Sequence, residues 1–469
     1  MTFPLTRDRS RNRSEGGGAG GNNPFNQPGA TLDLVFAGVV SDLPNTGPSL
    51  GLNFASQTYQ IGVQYAVWET GVGLGSKAFG DIITFTRAST ATFFNSSGVL
   101  TSAAIDAPRL DYNPSTLAAR GLLIEEARTN LLTYSEEFDT TPDWNPIRTS
   151  VTADAAVAPD GNTTADALVI DTTPSTNHNI GQNESVTSGI TYTISVFAKA
   201  NQITQINVRF SAQFPAGNTL FDLSAGTLQN NGTVVASSIT PVGNGWYRCT
   251  FTATANATGT ATAQIFLAEG NAITIATANG TDNVLLWGAQ LEVGAFPTSY
   301  IPTTTTALTR SADVASVNTL SPWYNASEGT LFAQAQDMSD AAHASAQPRA
   351  ASINDGTTGN RIDISRLPAP AQSRANVFTG GASQFNSLNT AWPLSTQAKI
   401  ALAYKAADFA ACLGGGTVAS VASGTVPTVS ALTIGNVTMG GTSGWVGWIQ
   451  RITYYPRRLS NADLQTITL

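Results

Sequence analysis

Apolar and polar residues alternate in short runs along most of this chain, the period-two pattern of half-buried strands. Tyr192, Ile194 and Val196 alternate with Thr and Ser, and Tyr59, Ile61, Val63, Tyr65 and Val67 share one face of another run. Such runs cover 167–170, 191–198, 205–210, 219–222, 246–252, 262–267 and 284–293. Gly/Asn turns separate them, notably Asn230-Asn231-Gly232 and Gly243-Asn244-Gly245. This rhythm predicts a β-sandwich. A second series follows at 329–335, 350–354, 361–365, 373–378, 397–404, 408–413, 431–434 and 444–455. The one clear helix signal is terminal, where Ser460 precedes Asp463 by three positions as in a capping box. The expected fold class is all-β: tandem antiparallel β-sandwiches of jelly-roll type behind a flexible N-terminal anchoring segment.

Turn chemistry and composition divide the chain further. Residues 1–30 carry Arg7, Arg9, Arg11 and Arg13 and then a Gly/Asn-rich stretch, a flexible tail by composition. Residues 31–81 are read as an anchoring and oligomerisation region, and 82–130 as a connecting β-rich block. The first sandwich spans 131–302, a Thr-rich linker 303–326, and the second sandwich 327–469.

Charge narrows the functional classes. Only 12% of residues are charged, the net charge is −8, and 42% are hydrophobic. That much apolar content argues against disorder. Past the N-terminal arginines no basic stripe appears, which argues against a nucleic-acid partner. No apolar run reaches the roughly 18 residues of a membrane span, and the N-terminus lacks the apolar core of a secretion signal. A neutral polar surface suits an extracellular β protein.

The densest patterned stretch is Phe85-Thr86-Arg87-Ala88-Ser89-Thr90, followed by an Asn/Ser-Gly turn, Pro108-Arg109-Leu110-Asp111-Tyr112, and the run from Gly121 through Glu125-Glu126-Ala127-Arg128-Thr129-Asn130 to Leu132. Together with Trp246-Tyr247-Arg248, Trp287-Gly288-Ala289-Gln290-Leu291-Glu292 and Tyr300-Ile301-Pro302, it resembles a segment recurrent in phage and prophage fibre or spike proteins. Residues 131–302 resemble the jelly-roll carbohydrate-binding modules, and 327–469 resemble concanavalin-like or laminin-G-like lectin sandwiches. The resemblance implies a virion structural protein, a fibre, spike or head-decoration subunit working outside the cell. It further implies a homo-oligomer, with a trimer favoured, joined to other virion proteins through its N-terminal region and touching host surface glycan. Rival readings are a polysaccharide depolymerase and an architectural protein without ligand.

Candidate chemistry is sparse. His178 and His343 are the only histidines, both read as loop residues, and no CxxC, HExxH, GxSxG or phosphate-loop pattern occurs. The chain is therefore read as a non-enzyme that needs no cofactor. Glu125-Glu126 and Glu136-Glu137 are the visible carboxylate pairs, but neighbours on a strand point to opposite faces. Ion pairing with Arg87, Arg109, Arg120 or Arg128 is the expectation for the first pair. Sugar rings stack on aromatic faces, so Trp144, Trp323, Tyr324 and Trp392, beside Asn, Ser or Thr, are the candidate glycan contacts. Trp246, Trp287, Trp445 and Trp448 are read as core. Asp337, Asp340, Asp355 and Asp363 are candidate calcium ligands, without diagnostic spacing. Cys249 and Cys412 are expected as separate thiols.

Overall fold

The computed structural model describes residues 48–61, 75–338, 347–367, 371–436 and 444–469. The four N-terminal arginines, Val63, Tyr65, Val67, Asp340 and His343 lie outside the described residues. What is described is all-β apart from the short helices Phe79–Ile82 and Asn461–Thr468. The second helix is capped as its sequence predicts, with Ser460 Oγ accepting from the Asp463 amide.

Two sandwiches are present, one inserted into the other. The outer one packs a ten-stranded sheet on a seven-stranded sheet. The ten-stranded sheet runs Gly75–Lys77, Thr58–Ile61, Leu50–Asn53, Gly447–Tyr455, Glu328–Asp337, Gln397–Lys405, Phe409–Leu413 and Ala419–Val421, with Ala119–Ile124 also paired to Gly447–Tyr455. The seven-stranded sheet mixes C-terminal strands with Thr84–Thr86 and Val314–Val317. Strands Leu50–Asn53, Ala119–Ile124 and Val314–Val317 thus join the same sandwich as the C-terminal strands, so the expected boundaries at 81 and 326 do not divide this unit, while the one at 130 falls where the inserted sandwich begins. Leu50 pairs with Tyr454 and Leu52 with Ile452. Leu50, Leu52, Phe54 and Tyr59 then bury in the same core as Leu331, Ile449 and Ile452. Without these N-terminal strands that core would face water. The supposed linker 303–326 likewise supplies Leu308–Arg310 and Val314–Val317.

Gly121 shows why its position excludes a side chain. Its φ is +101°, and an added Cβ would lie 2.5 Å from the Ile449 carbonyl oxygen.

The inserted sandwich packs two six-stranded antiparallel sheets around Ile194, Val196, Ile206, Val208, Phe251, Ile265 and Leu286. One sheet runs Asn145–Ile147, Asn179–Val186, Gly259–Ala268, Gln205–Ser211, Gly217–Asp222 and Thr227–Gly232. The other carries Thr149–Val157, Thr163–Ile170, Asn283–Val293, Thr191–Lys199, Trp246–Thr254 and Ala236–Pro241. Its entry and exit strands, Arg128–Asn130 and Leu308–Arg310, pair antiparallel and close the insertion at its neck.

Above that neck lies a buried ionic knot that joins Arg87, Arg109 and Glu125 of the motif stretch to Ser299, Arg310 and Asp313. Arg109 donates to Glu125 Oε2 at 2.7 Å and to Asp313 Oδ2 at 2.5 Å. Arg87 donates to Asp313 Oδ1 at 3.1 Å, and Arg310 lies 3.6 Å from Glu125. The Ser299 amide and hydroxyl donate to Glu125. All five charged side chains are at most 1% exposed. Burial alone would raise the Glu125 carboxyl, but Arg310, Arg109 and the Ser299 donors overcome it and hold it at about 2. The expected pairing therefore forms for Arg109, and for Arg128 with Glu126. Arg87 and Arg120 go instead to Asp313 and Asp111.

Candidate glycan-binding face

The aromatics nominated from sequence are mostly internal. Trp144 and Trp323 are 0% exposed and Trp392 1%, so none offers a ring face to a ligand. Their indole N–H groups donate to the carbonyls of Tyr134, Thr319 and Thr396. Trp144 packs 4.7 Å from Phe138, and Trp323 meets Tyr454 edge-on. Tyr324 is partly buried in that same cluster. Polar neighbours in sequence made these residues look like loop platforms, yet each indole caps a core and spends its donor on local backbone.

Other nominated groups are committed too. His178 is fully buried rather than a surface residue, with Nε2 3.1 Å from Asp171. Asp337 pairs with Arg366, Asp363 pairs with Arg361 and Arg349, and Asp355 accepts from its own turn at Thr357 and Asn360. Those three carboxylates are each engaged by partners within the protein. Among the described residues no cluster of three His, Cys, Asp or Glu side chains is arranged around a metal position. Glu136 accepts from the Tyr300 hydroxyl. Cys249 and Cys412 are free thiols buried in different cores.

The arrangement best suited to a polyhydroxyl ligand lies on the outer face of the inserted sandwich. Along Gln205–Ser211, Ile206, Val208 and Phe210 point into the core, so Gln205, Asn207 and Arg209 point outward. The antiparallel register sets Asn207 beside Phe266 on one neighbour and Leu220 on the other, with Asn179 beyond Phe266. These four floor residues are at most 5% exposed, although they lie outside the core between the sheets. The Arg209 guanidinium covers the Phe266 ring at 4.2 Å and donates to Gln264 Oε1 at 3.2 Å. Asn207 Nδ2 donates to Asn218 Oδ1 at 2.7 Å, as does Asn231 Nδ2 at 3.3 Å. At the end of the face, Gln205 donates to Asp222 and Asn271.

Two features of this face are unsatisfied within the protein. Asn207 Oδ1 is buried and accepts no hydrogen bond, a state that costs about 1–3 kcal/mol. Arg209 has no paired carboxylate among the described residues, and burial pushes its pKa down. The face therefore carries planar amide and guanidinium groups around a buried acceptor, with no acidic pair. That chemistry suits hydroxyl recognition, with donors and acceptors fixed in position. Sequence reasoning placed these residues on a strand without singling them out, because Gln, Asn and Arg on alternate positions read as an ordinary solvated face.

No family model and no curated protein matches the chain. Solved structures similar to it include the leech intramolecular trans-sialidase in complex with 2,7-anhydro-Neu5Ac (14% identity, 31% of this chain and 23% of that one, TM-score 0.27). Trypanosoma rangeli sialidase follows (11% identity, 64% and 60%, TM-score 0.27). So do domains LG4-5 of the mouse laminin alpha1 chain (9% identity, 66% and 94%, TM-score 0.25). The chain spans less than two thirds of the length of either sialidase.

Proposed function

We propose that this chain is a structural subunit of a phage or phage-like particle, a fibre, spike or head-decoration protein, that binds host surface glycan through the outer face of its inserted sandwich. The observation that carries the binding reading is the buried, unsatisfied Asn207 Oδ1 beside the Arg209–Phe266 stack. A sugar hydroxyl that displaces the side chains over this oxygen and donates to it would recover the cost the protein carries alone. The phage reading rests on the motif stretch quoted above. A homotrimer attached through its N-terminal region would multiply weak contacts by avidity. We read the chain as a binder rather than a depolymerase, because hydrolysis calls for two available carboxyls flanking one bond. Asp222, at the end of the face, spends its oxygens on Ser224, Ala225 and Gln205.

The test is glycan-array and host-cell binding of the full chain, with released reducing sugar assayed in the same samples. Asn207→Leu keeps the shape while removing the orphaned acceptor together with the bond to Asn218, whose Oδ1 still accepts from Asn231. It is expected to leave stability unchanged or slightly higher and to weaken glycan binding about tenfold. Arg209→Ala should also weaken binding. Unchanged binding in both variants would overturn this site, and sugar release would overturn the non-enzymatic reading.

A further inference from the structure

A cleft of about 330 Å³ lies where the two sandwiches meet, away from the amide face. One wall belongs to the outer sandwich. There Arg120 stacks on the Trp448 ring at 4.3 Å and pairs with Asp111 at 3.6 Å. Asp111 is itself fixed, accepting from the Phe94 amide and from Trp448 Nε1, both at 2.8 Å. The other wall belongs to the inserted sandwich and carries Arg248, with Ser238 and Thr240 exposed on the lining.

Arg248 is the unusual member. Its guanidinium donates to Ser195 Oγ and to the Thr298 carbonyl, both neutral acceptors. Among the described residues no carboxylate lies within ion-pair distance of it. Burial pushes its pKa down, with Glu292 and Glu125 acting in the opposite sense from further away. Glu125 of the knot also lines the cleft, but the knot sets three guanidinium groups against two carboxylates, so it adds no surplus negative charge. The cleft therefore couples an underpaired cation to a flat cationic-aromatic platform. Its volume matches one or two sugar rings, at the small end of ligand cavities.

We propose that this interdomain cleft is a second saccharide site, specific for a carboxylate-bearing sugar at a chain end. Arg248 takes the carboxylate, and the ring lies against the Arg120–Trp448 stack. A charged acceptor on Arg248 forms the stronger class of hydrogen bond. The small concave cleft, walled on two sides, suits a terminal residue. The proposal stands apart from the amide face, since neither site shares a residue with the other.

The experiment is calorimetry and saturation-transfer NMR on the full chain with glucuronate and galacturonate, against neutral glucose and galactose. The acidic sugars should bind and the neutral ones should not. Arg248→Gln should lower affinity for the acids about tenfold or more, while Arg209→Ala leaves it unchanged. Thr240→Trp, on an exposed position of the lining, should block entry without disturbing either core, and carries the test if Arg248→Gln fails to fold. Equal binding of neutral sugars, or acid binding indifferent to both Arg248→Gln and Thr240→Trp, would overturn the proposal.

Discussion

Replacing Asp313 by Asn probes the ionic knot at its centre. The Asp313 carboxylate accepts from Arg87, from Arg109 and from the Glu125 amide, and it is fully buried. Asn keeps the shape but loses the charge, and its Nδ2 must face one of these donors. Three buried guanidinium groups would then be left with Glu125 as the one carboxylate of the knot. Breaking a buried ion pair by neutralising one partner costs about 3–5 kcal/mol, a large part of the roughly 5–15 kcal/mol that holds a domain folded. The loss should fall on the outer sandwich, whose strands Ala119–Ile124 and Val314–Val317 flank the knot. Urea unfolding followed by tryptophan fluorescence reads it, with native-state proteolysis to show which sandwich opens first. A midpoint shift equivalent to less than about 1 kcal/mol would refute the reasoning. It would mean that water enters the junction and screens these charges as it does surface pairs.

Two further outcomes follow from the fold and its titrating groups. A chain beginning at residue 48 should fold, whereas one beginning at 83 should aggregate. The shorter chain loses the burial of Leu50, Leu52, Phe54 and Tyr59, about 1.5–3 kcal/mol for each such side chain; solubility and calorimetry decide. Glu184 is partly buried, and burial raises its carboxyl from 4.5 to about 7. Its charged form is disfavoured in the folded state, so stability rises as pH falls from above 7 towards 4.5. Glu125, held at about 2, works the other way, and its contribution is lost as pH falls from 4.5 towards 2. Thermal melts should therefore peak near pH 4.5 to 5, and Glu184→Gln should raise the melting temperature at pH 8 but not at pH 4.

The strand pattern was legible because burial on one face leaves a period of two. The runs at 191–198, 205–210 and 284–293 match Thr191–Lys199, Gln205–Ser211 and Asn283–Val293 closely. Strands with little buried surface escaped that reading. Thr227–Gly232 and Ala236–Pro241 are largely exposed and polar, so no alternation marks them. Domain boundaries escaped for a different reason. Pairing of Leu50–Asn53 with Gly447–Tyr455 joins positions some 400 residues apart, and local pattern carries no record of which edge a strand will complete. Trp448 was assigned to the core from its strand, correctly for its burial, but nothing local told that Arg120 would cover its ring beside a cleft. The motif stretch is dense because one junction consumes it: Arg87, Arg109 and Glu125 arrive before the insertion, Ser299, Arg310 and Asp313 at its far end or after it.

That division of the knot across the insertion explains why charge is used where apolar packing would bury as well. An apolar junction tolerates many docked poses, whereas Arg109, bridging Glu125 and Asp313 with its two terminal nitrogens in charge-assisted hydrogen bonds, permits few. The cleft has one wall on each sandwich, so its width depends on that pose; the amide face lies within one sandwich and does not. Asp313→Asn, studied at a temperature where it remains folded, should therefore weaken acidic-sugar binding in the cleft while glycan binding at the amide face persists. Parallel titrations of both ligands against parent and variant read this difference. Equal loss at both sites would mean general destabilisation, and no loss at either would mean that the neck strands Arg128–Asn130 and Leu308–Arg310 fix the pose without help from the knot.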